Sequence, residues 1–130
     1  MTPELTILAL SVALLFVLII FHAVVASLQY GGGKLLGNRD GLEPPGIYLS
    51  RVRRTIDNLR ENLIMFAPLV LIAAAADIST PQTVLGAQLF LGARIAHALL
   101  YLIGVPWLRT LAWLAGVIGM ALIFVELFRF

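Results

Sequence analysis

Apolar residues in this chain come in long blocks, not in the alternation of a half-buried strand or the narrow stripe of a surface helix. From Leu5 to Leu28 the only strongly polar side chain is His22. A helix needs about 20 apolar residues to cross ~30 Å of hydrocarbon, so this block predicts a first span over residues 3–29. A cleaved leader would have a basic start and a shorter apolar core. Here the start is acidic (Glu4) and the run is long, so the span is expected to be retained. Residues 29–45 contain Gly31, Gly32, Gly33, Gly37, Gly41, Pro44 and Pro45, which is loop chemistry. A second helix is expected over 47–76. Its purely apolar part, Leu63 to Ala76, is too short to span alone. Its first turns must therefore carry Arg51, Arg53, Arg54, Asp57, Asn58, Arg60 and Glu61 into or above the interface, and Pro68 should kink it. Ser79 or Thr80 can cap a third helix that starts at Pro81 and runs over 81–103. Gly104 ends it, and Pro106 starts a fourth over 106–128. So short a connection makes the last two helices an antiparallel hairpin. The expected fold is all-α and integral to the membrane: a four-transmembrane-helix bundle forming one domain over residues 1–130, with no internal repeat.

Composition sharpens this picture. The chain is 61% hydrophobic and 12% charged, with a mean hydropathy of +1.00. A soluble domain is about 45–50% apolar and about 25% charged, so this chain lacks the polar surface to stay in water. The net charge is +2 and the basic residues form no long run, which argues against a nucleic-acid partner. There are no cysteines, which excludes disulfides and thiolate metal sites. His22 and His97 stand in different helices, so no metal-ligand spacing exists. His22, alone in its span, reads as a packing or subunit-contact residue, and Trp107 and Trp113 as interfacial or lipid-facing aromatics.

Basic residues set the expected orientation. The first loop and its flank hold Lys34, Arg39, Arg51, Arg53 and Arg54, and Arg109 closely follows the third connection. The second loop has Asp77 and no basic residue. Loops one and three are therefore expected to face the cytoplasm, with both termini on the other side. A chain this short with minimal loops points to a bacterial inner (plasma) membrane.

An ionisable group within a span costs roughly 2.5–3.5 kcal/mol on insertion scales and is retained mainly for function or pairing. On the second helix, Arg54, Asn58 and Glu61 (i, i+4, i+7) share one face. Arg53, Asp57 and Arg60 form another stripe, read as solvated or headgroup-facing. On the third helix, Arg94, His97 and Tyr101 (i, i+3, i+7) share a face in an otherwise apolar stretch. Arg109, in the first turn of the fourth helix, stands at the same membrane level. These groups would converge into a cation-rich pocket that favours anionic groups. Glu61 and Asn58 would suit an ammonium and an amide. The bland alternatives are an interfacial helix end closed by internal salt bridges, an Arg94–Glu61 pair across helices, and interhelical hydrogen bonds from His97 and Tyr101.

Two motifs carry a resemblance. Arg-x-x-x-Asn-x-x-Glu stands as Arg54, Asn58 and Glu61 within RTIDNLRENLIMFAP, and Arg-x-x-His-x-x-x-Tyr as Arg94, His97 and Tyr101 within RIAHALLY. With Arg109 and Thr110 at the start of the fourth helix, the chain resembles the MAPEG superfamily, the membrane-associated proteins in eicosanoid and glutathione metabolism. The resemblance implies a homotrimer with glutathione sites between neighbouring subunits. It implies glutathione binding through Arg54, Asn58, Glu61, Arg94, His97 and Tyr101, with a first-loop basic residue, Lys34 or else Arg39, helping from the adjacent subunit. It also implies that Arg109 stabilises the glutathione thiolate, which a guanidinium does by favouring the charged sulfur. Glutathione would be a co-substrate, no metal would be needed, and a lipophilic second substrate would come from the bilayer. Asp57 departs from members that have a basic residue just before the asparagine.

Three function classes follow. The first, a membrane-bound glutathione transferase or peroxidase, accounts for the full polar set. The second is a non-catalytic lipid-binding scaffold of the same fold, which would not need a cationic pocket. The third is a small transporter, expected to need an acidic residue deep in the membrane, whereas Glu61 and Glu126 both fall near helix ends.

Overall fold

The computed structural model describes residues 1–129, and they are all-α apart from turns and loops. The helices are α1 (Pro3–Tyr30), α2 (Gly32–Leu35), α3 (Ile47–Ala75), α4 (Pro81–Ile103) and α5 (Pro106–Glu126). Four of them, α1, α3, α4 and α5, are long and apolar enough to cross a membrane, and the protein is a multi-pass membrane protein. The glycine-rich segment expected to be all loop contains one turn of helix, α2. The helix expected to kink at Pro68 is α3, continuous from Ile47 to Ala75 with Pro68 inside it, where proline offers no N–H to the carbonyl one turn back.

Local chemistry explains the ends. Thr2 caps α1 by accepting from the Leu5 N–H, with Pro3 in the first turn. Gly31, at φ +80°, turns the chain out of α1. The start of α3 is held from the first loop: the Gly46 N–H donates to Gln29 Oε1 at 3.1 Å, and Tyr30 donates to the Glu43 carbonyl at 2.9 Å. At α4 the Thr80 and Thr83 side chains each accept from the other's backbone N–H, a reciprocal capping box. Ser79 is thereby left free for another partner. Gly104 closes α4 in the left-handed region, and the N–H groups of Gly104 and Val105 both donate to the Leu100 carbonyl at 3.0 Å.

The core is shared by all four long helices, with Ile7 and Leu18 of α1 part of it. Phe66 of α3 and Phe90 of α4 stack at 3.8 Å with their planes 7° apart. Val70, Ala87 and Ile123 are fully buried around them. The closest packing is between α4 and α5. There Gly86 and Gly119 face each other, and a Cβ added to either would stand 2.5 Å from the other's carbonyl oxygen. Bilayer helices associate by such close backbone approach, because lipid offers no hydrophobic drive between them. By contrast α1 buries one stripe, Glu4, Ile7, Ser11 and Leu18, against α3 and α4. The rest of α1, Leu10, Phe16, Val17 and Ile20 included, is exposed, as suits a helix whose solvent is lipid. No contact joins α1 to α5 among the described residues, so these two helices sit on opposite corners of the bundle.

The bundle has two distinct ends. At one, Ser79 donates to both carboxylate oxygens of Glu4 (3.0 and 3.1 Å) and Thr83 donates to Oε1. Leu127 lines a cavity with residues 76–80 at this end. The start of α1, the end of α5 and the α3–α4 turn therefore gather there. At the other end the start of α3 meets the α4–α5 turn, where Arg51 Nη1 lies 3.4 Å from the Leu102 carbonyl.

Candidate functional site

The polar residues of α3, α4 and α5 meet at the loop end, around Arg94. Its side chain comes from the middle of α4 and is only 2% exposed. Nη1 donates to Asn58 Oδ1 of α3 at 2.9 Å, and Nη2 donates to the Trp113 carbonyl of α5 at 3.1 Å. A carbonyl has two lone pairs, so Trp113 can accept this bond beside its helical one. The third wall is Gly116, where an added Cβ would stand 2.3 Å from Nη2. Only glycine leaves room for the guanidinium there. The Phe90 ring lies 5.5 Å away, within cation–π range. Nε has no partner.

The ion pairs among the described residues are Arg60–Asp57 and Arg129–Glu126. The Arg94–Glu61 pair weighed from the sequence does not form. The reason is angular. Successive helix residues turn by about 100°, so Arg54 and Glu61 both lie ~40–60° to the same side of Asn58. Asn58 is directed to α4, and the two charged neighbours are rotated to the exposed face.

One turn further along α4, His97 is buried and Tyr101 half-buried, their rings 5.6 Å apart. The Arg109 guanidinium lies over the Tyr101 ring at 4.4 Å. The tight Gly104 turn makes this contact possible, since it folds the first turn of α5 back on the last turn of α4. Asn58, His97, Tyr101, Arg109, Thr110 and Trp113 together line a cavity of about 270 Å³. No carboxylate of the described residues lines it. Alongside runs a groove of about 730 Å³ between α3 and α5, lined by Met65, Pro68, Leu69, Val117, Met120 and Phe124 among others, almost wholly apolar. Trp113 belongs to both walls.

The candidates from the sequence thus divide. Asn58, His97, Tyr101 and Arg109 line one cavity, and Arg94 stands behind it. Arg54 and Glu61 are exposed beside it and do not line it. Lys34 is exposed and borders a separate cavity of the first loop with Tyr30, Arg39 and Glu43. Trp113, read as an interfacial or lipid-facing aromatic, also lines the cavity. Its spacing of four from Arg109 was the available signal, because i and i+4 share a helix face. No group of three or more His, Asp or Glu side chains able to hold a metal forms among the described residues.

A four-helix membrane bundle with a donor-lined cavity at one end and an apolar groove beside it defines the class of protein. The chain matches the MAPEG family over residues 6–129, and it belongs to that family. Comparison with curated proteins and with solved structures finds no match.

Proposed function

We propose that the protein is a glutathione-dependent membrane transferase or peroxidase. Members of its family generally perform glutathione-dependent reactions at membranes. One observation carries the reading: Arg109, Tyr101, His97 and Asn58 line a single cavity that has no carboxylate in its wall among the described residues and shares Trp113 with an apolar groove. The cavity suits the anionic, hydrogen-bonding glutathione, and the groove suits a lipophilic electrophile or hydroperoxide arriving from the bilayer.

The role of Arg109 is to lower the cost of ionising the glutathione thiol, because a fixed guanidinium in a low-dielectric site favours the thiolate. Holding the two substrates together supplies the rest. In conjugation, the sulfur forms a bond to the electrophilic carbon and the leaving group departs with its electron pair. With a hydroperoxide, the sulfur attacks one oxygen and the O–O bond breaks, giving an alcohol and a sulfenic acid. A second glutathione then yields the disulfide and water.

Arg54 and Glu61 fit this reading if a neighbouring subunit covers them. Both are exposed charged groups beside the cavity on a membrane helix, and a homotrimer with sites between subunits would enclose them. Lys34, in the first loop, would then reach the site of an adjacent copy. The basic loop end faces the cytoplasm of a bacterial inner membrane, where glutathione is at hand, and both termini lie on the far side.

The test is a glutathione titration of the detergent-purified protein, read by the ultraviolet absorbance of the thiolate, beside Arg109→Ala. A saturable signal that disappears in the variant is expected. No binding at millimolar glutathione would refute the reading and leave the apolar groove as the site of a lipid-binding scaffold.

A further inference from the structure

The contact between Arg94 and Asn58 carries information about the ligand. An asparagine amide has an oxygen that accepts and an NH₂ that donates, and which end faces which neighbour follows from the hydrogen-bond network. A guanidinium only donates. With Nη1 at 2.9 Å, the Asn58 oxygen must face Arg94, because the reverse would set N–H against N–H inside the bundle. Arg94 cannot swing to allow another arrangement. Its other nitrogen is bonded to the Trp113 carbonyl, and Gly116 fits against its guanidinium. The Asn58 NH₂ has no hydrogen-bond partner among the described residues, while Asn58 is half-buried and lines the cavity with Tyr101 and Arg109.

We infer that Arg94 is a positioning residue that locks Asn58 with its NH₂ toward the cavity. This part of the wall is then a hydrogen-bond donor and selects a carboxylate or carbonyl oxygen of the ligand over an ammonium. Arg94 acts through Asn58 and need not touch the ligand. The ligand's identity rests on the function proposed above, in which the oxygen belongs to a carboxylate or peptide carbonyl of glutathione. The orientation of Asn58 does not depend on that identity.

Asn58→Asp separates the two ends of the amide. The carboxylate would neutralise a buried arginine that has no carboxylate partner, and buried charges are costly unless paired. It would also set an anionic oxygen where the NH₂ stood. The variant should melt several degrees above the parent and bind glutathione at least about tenfold more weakly, the scale of one charged hydrogen bond replaced by repulsion. Asn58→Leu removes the oxygen that Arg94 uses and should melt below the parent. A purely structural role for the pair would move stability and leave affinity unchanged, whereas the inference requires the two to move in opposite directions in Asn58→Asp.

Melting is followed by circular dichroism in detergent and binding by calorimetry with glutathione as the probe. An Asn58→Asp protein that melts lower or fails to fold overturns the Arg94–Asn58 contact from which the orientation follows. One that melts higher and binds glutathione as well as the parent overturns the donor wall. If the parent itself binds no glutathione, the proposed function fails, and the two melting temperatures still decide whether Arg94 rests on the Asn58 side chain.

Discussion

Replacing Gly116 by alanine tests the packing behind the site. The added methyl would stand 2.3 Å from Arg94 Nη2, 2.9 Å from Cζ and 3.1 Å from Nε. Carbon and nitrogen do not approach much below about 3.4 Å without repulsion, so the guanidinium must retreat by roughly 1 Å. An exposed arginine could simply bend away, but this one is 2% exposed, held by Asn58 on one side and by the Trp113 carbonyl on the other. The displacement stretches or breaks the 3.1 Å bond to Trp113. Hydrogen bonds to charged groups contribute about 1.5–3 kcal/mol, and overpacking a filled interior costs typically 1–3 kcal/mol. Alanine recovers roughly 1 kcal/mol of helix propensity over glycine. The net expectation is a loss of about 2–4 kcal/mol. Gly92 is the internal control. It lies in α4, exposed, with nothing within 4 Å of an added Cβ, so Gly92→Ala should be neutral or slightly stabilising. Equilibrium unfolding of both variants in mixed micelles with increasing sodium dodecyl sulfate, followed by helical circular dichroism, measures the difference. A Gly116→Ala protein within ~0.5 kcal/mol of Gly92→Ala, below the scale of any lost hydrogen bond, would refute the account of Arg94 as a wedged, immobile cation.

Two further substitutions probe the ends of the bundle. Glu4→Ala removes the acceptor used by Ser79 and Thr83 and should destabilise the fold by about 1–3 kcal/mol, with faster amide exchange in α1 and at the start of α4 by mass spectrometry; unchanged exchange there would show that Glu4 does not tie the two helices. Gly104→Ala meets both a φ of +87° and the Arg51 guanidinium, 2.8–3.0 Å from the new methyl. It should cost at least ~1–2 kcal/mol for the left-handed backbone alone and weaken the thiolate signal by disturbing Arg109 over Tyr101, and a protein with parental stability and signal would show that this turn does not set the site.

The four apolar blocks were legible in the sequence because a membrane helix must bring its own backbone hydrogen bonds and an apolar surface, and both leave a mark on composition. Punctuation was legible for the same local reason: Thr80 with Pro81, and Gly104 with Pro106, act within a few residues of chain. Helical angle also put Arg94, His97 and Tyr101 on one face before any coordinates. It grouped Arg54, Asn58 and Glu61 as well, but a face about 100° wide is coarser than the choice that packing makes. A further 40–60° of rotation separates Asn58, which meets Arg94, from Arg54 and Glu61, which stay exposed. Only the tertiary structure decided that Arg94 is held by an amide and a backbone carbonyl, because the Trp113 carbonyl and the space beside Gly116 belong to another helix and have no sequence signature. It likewise decided that Trp113 divides a polar cavity from an apolar groove. Periodicity states which way a residue faces along its own helix; what it faces depends on how neighbouring helices approach, and that is set here by contacts such as Gly86 on Gly119, which join positions far apart in the chain.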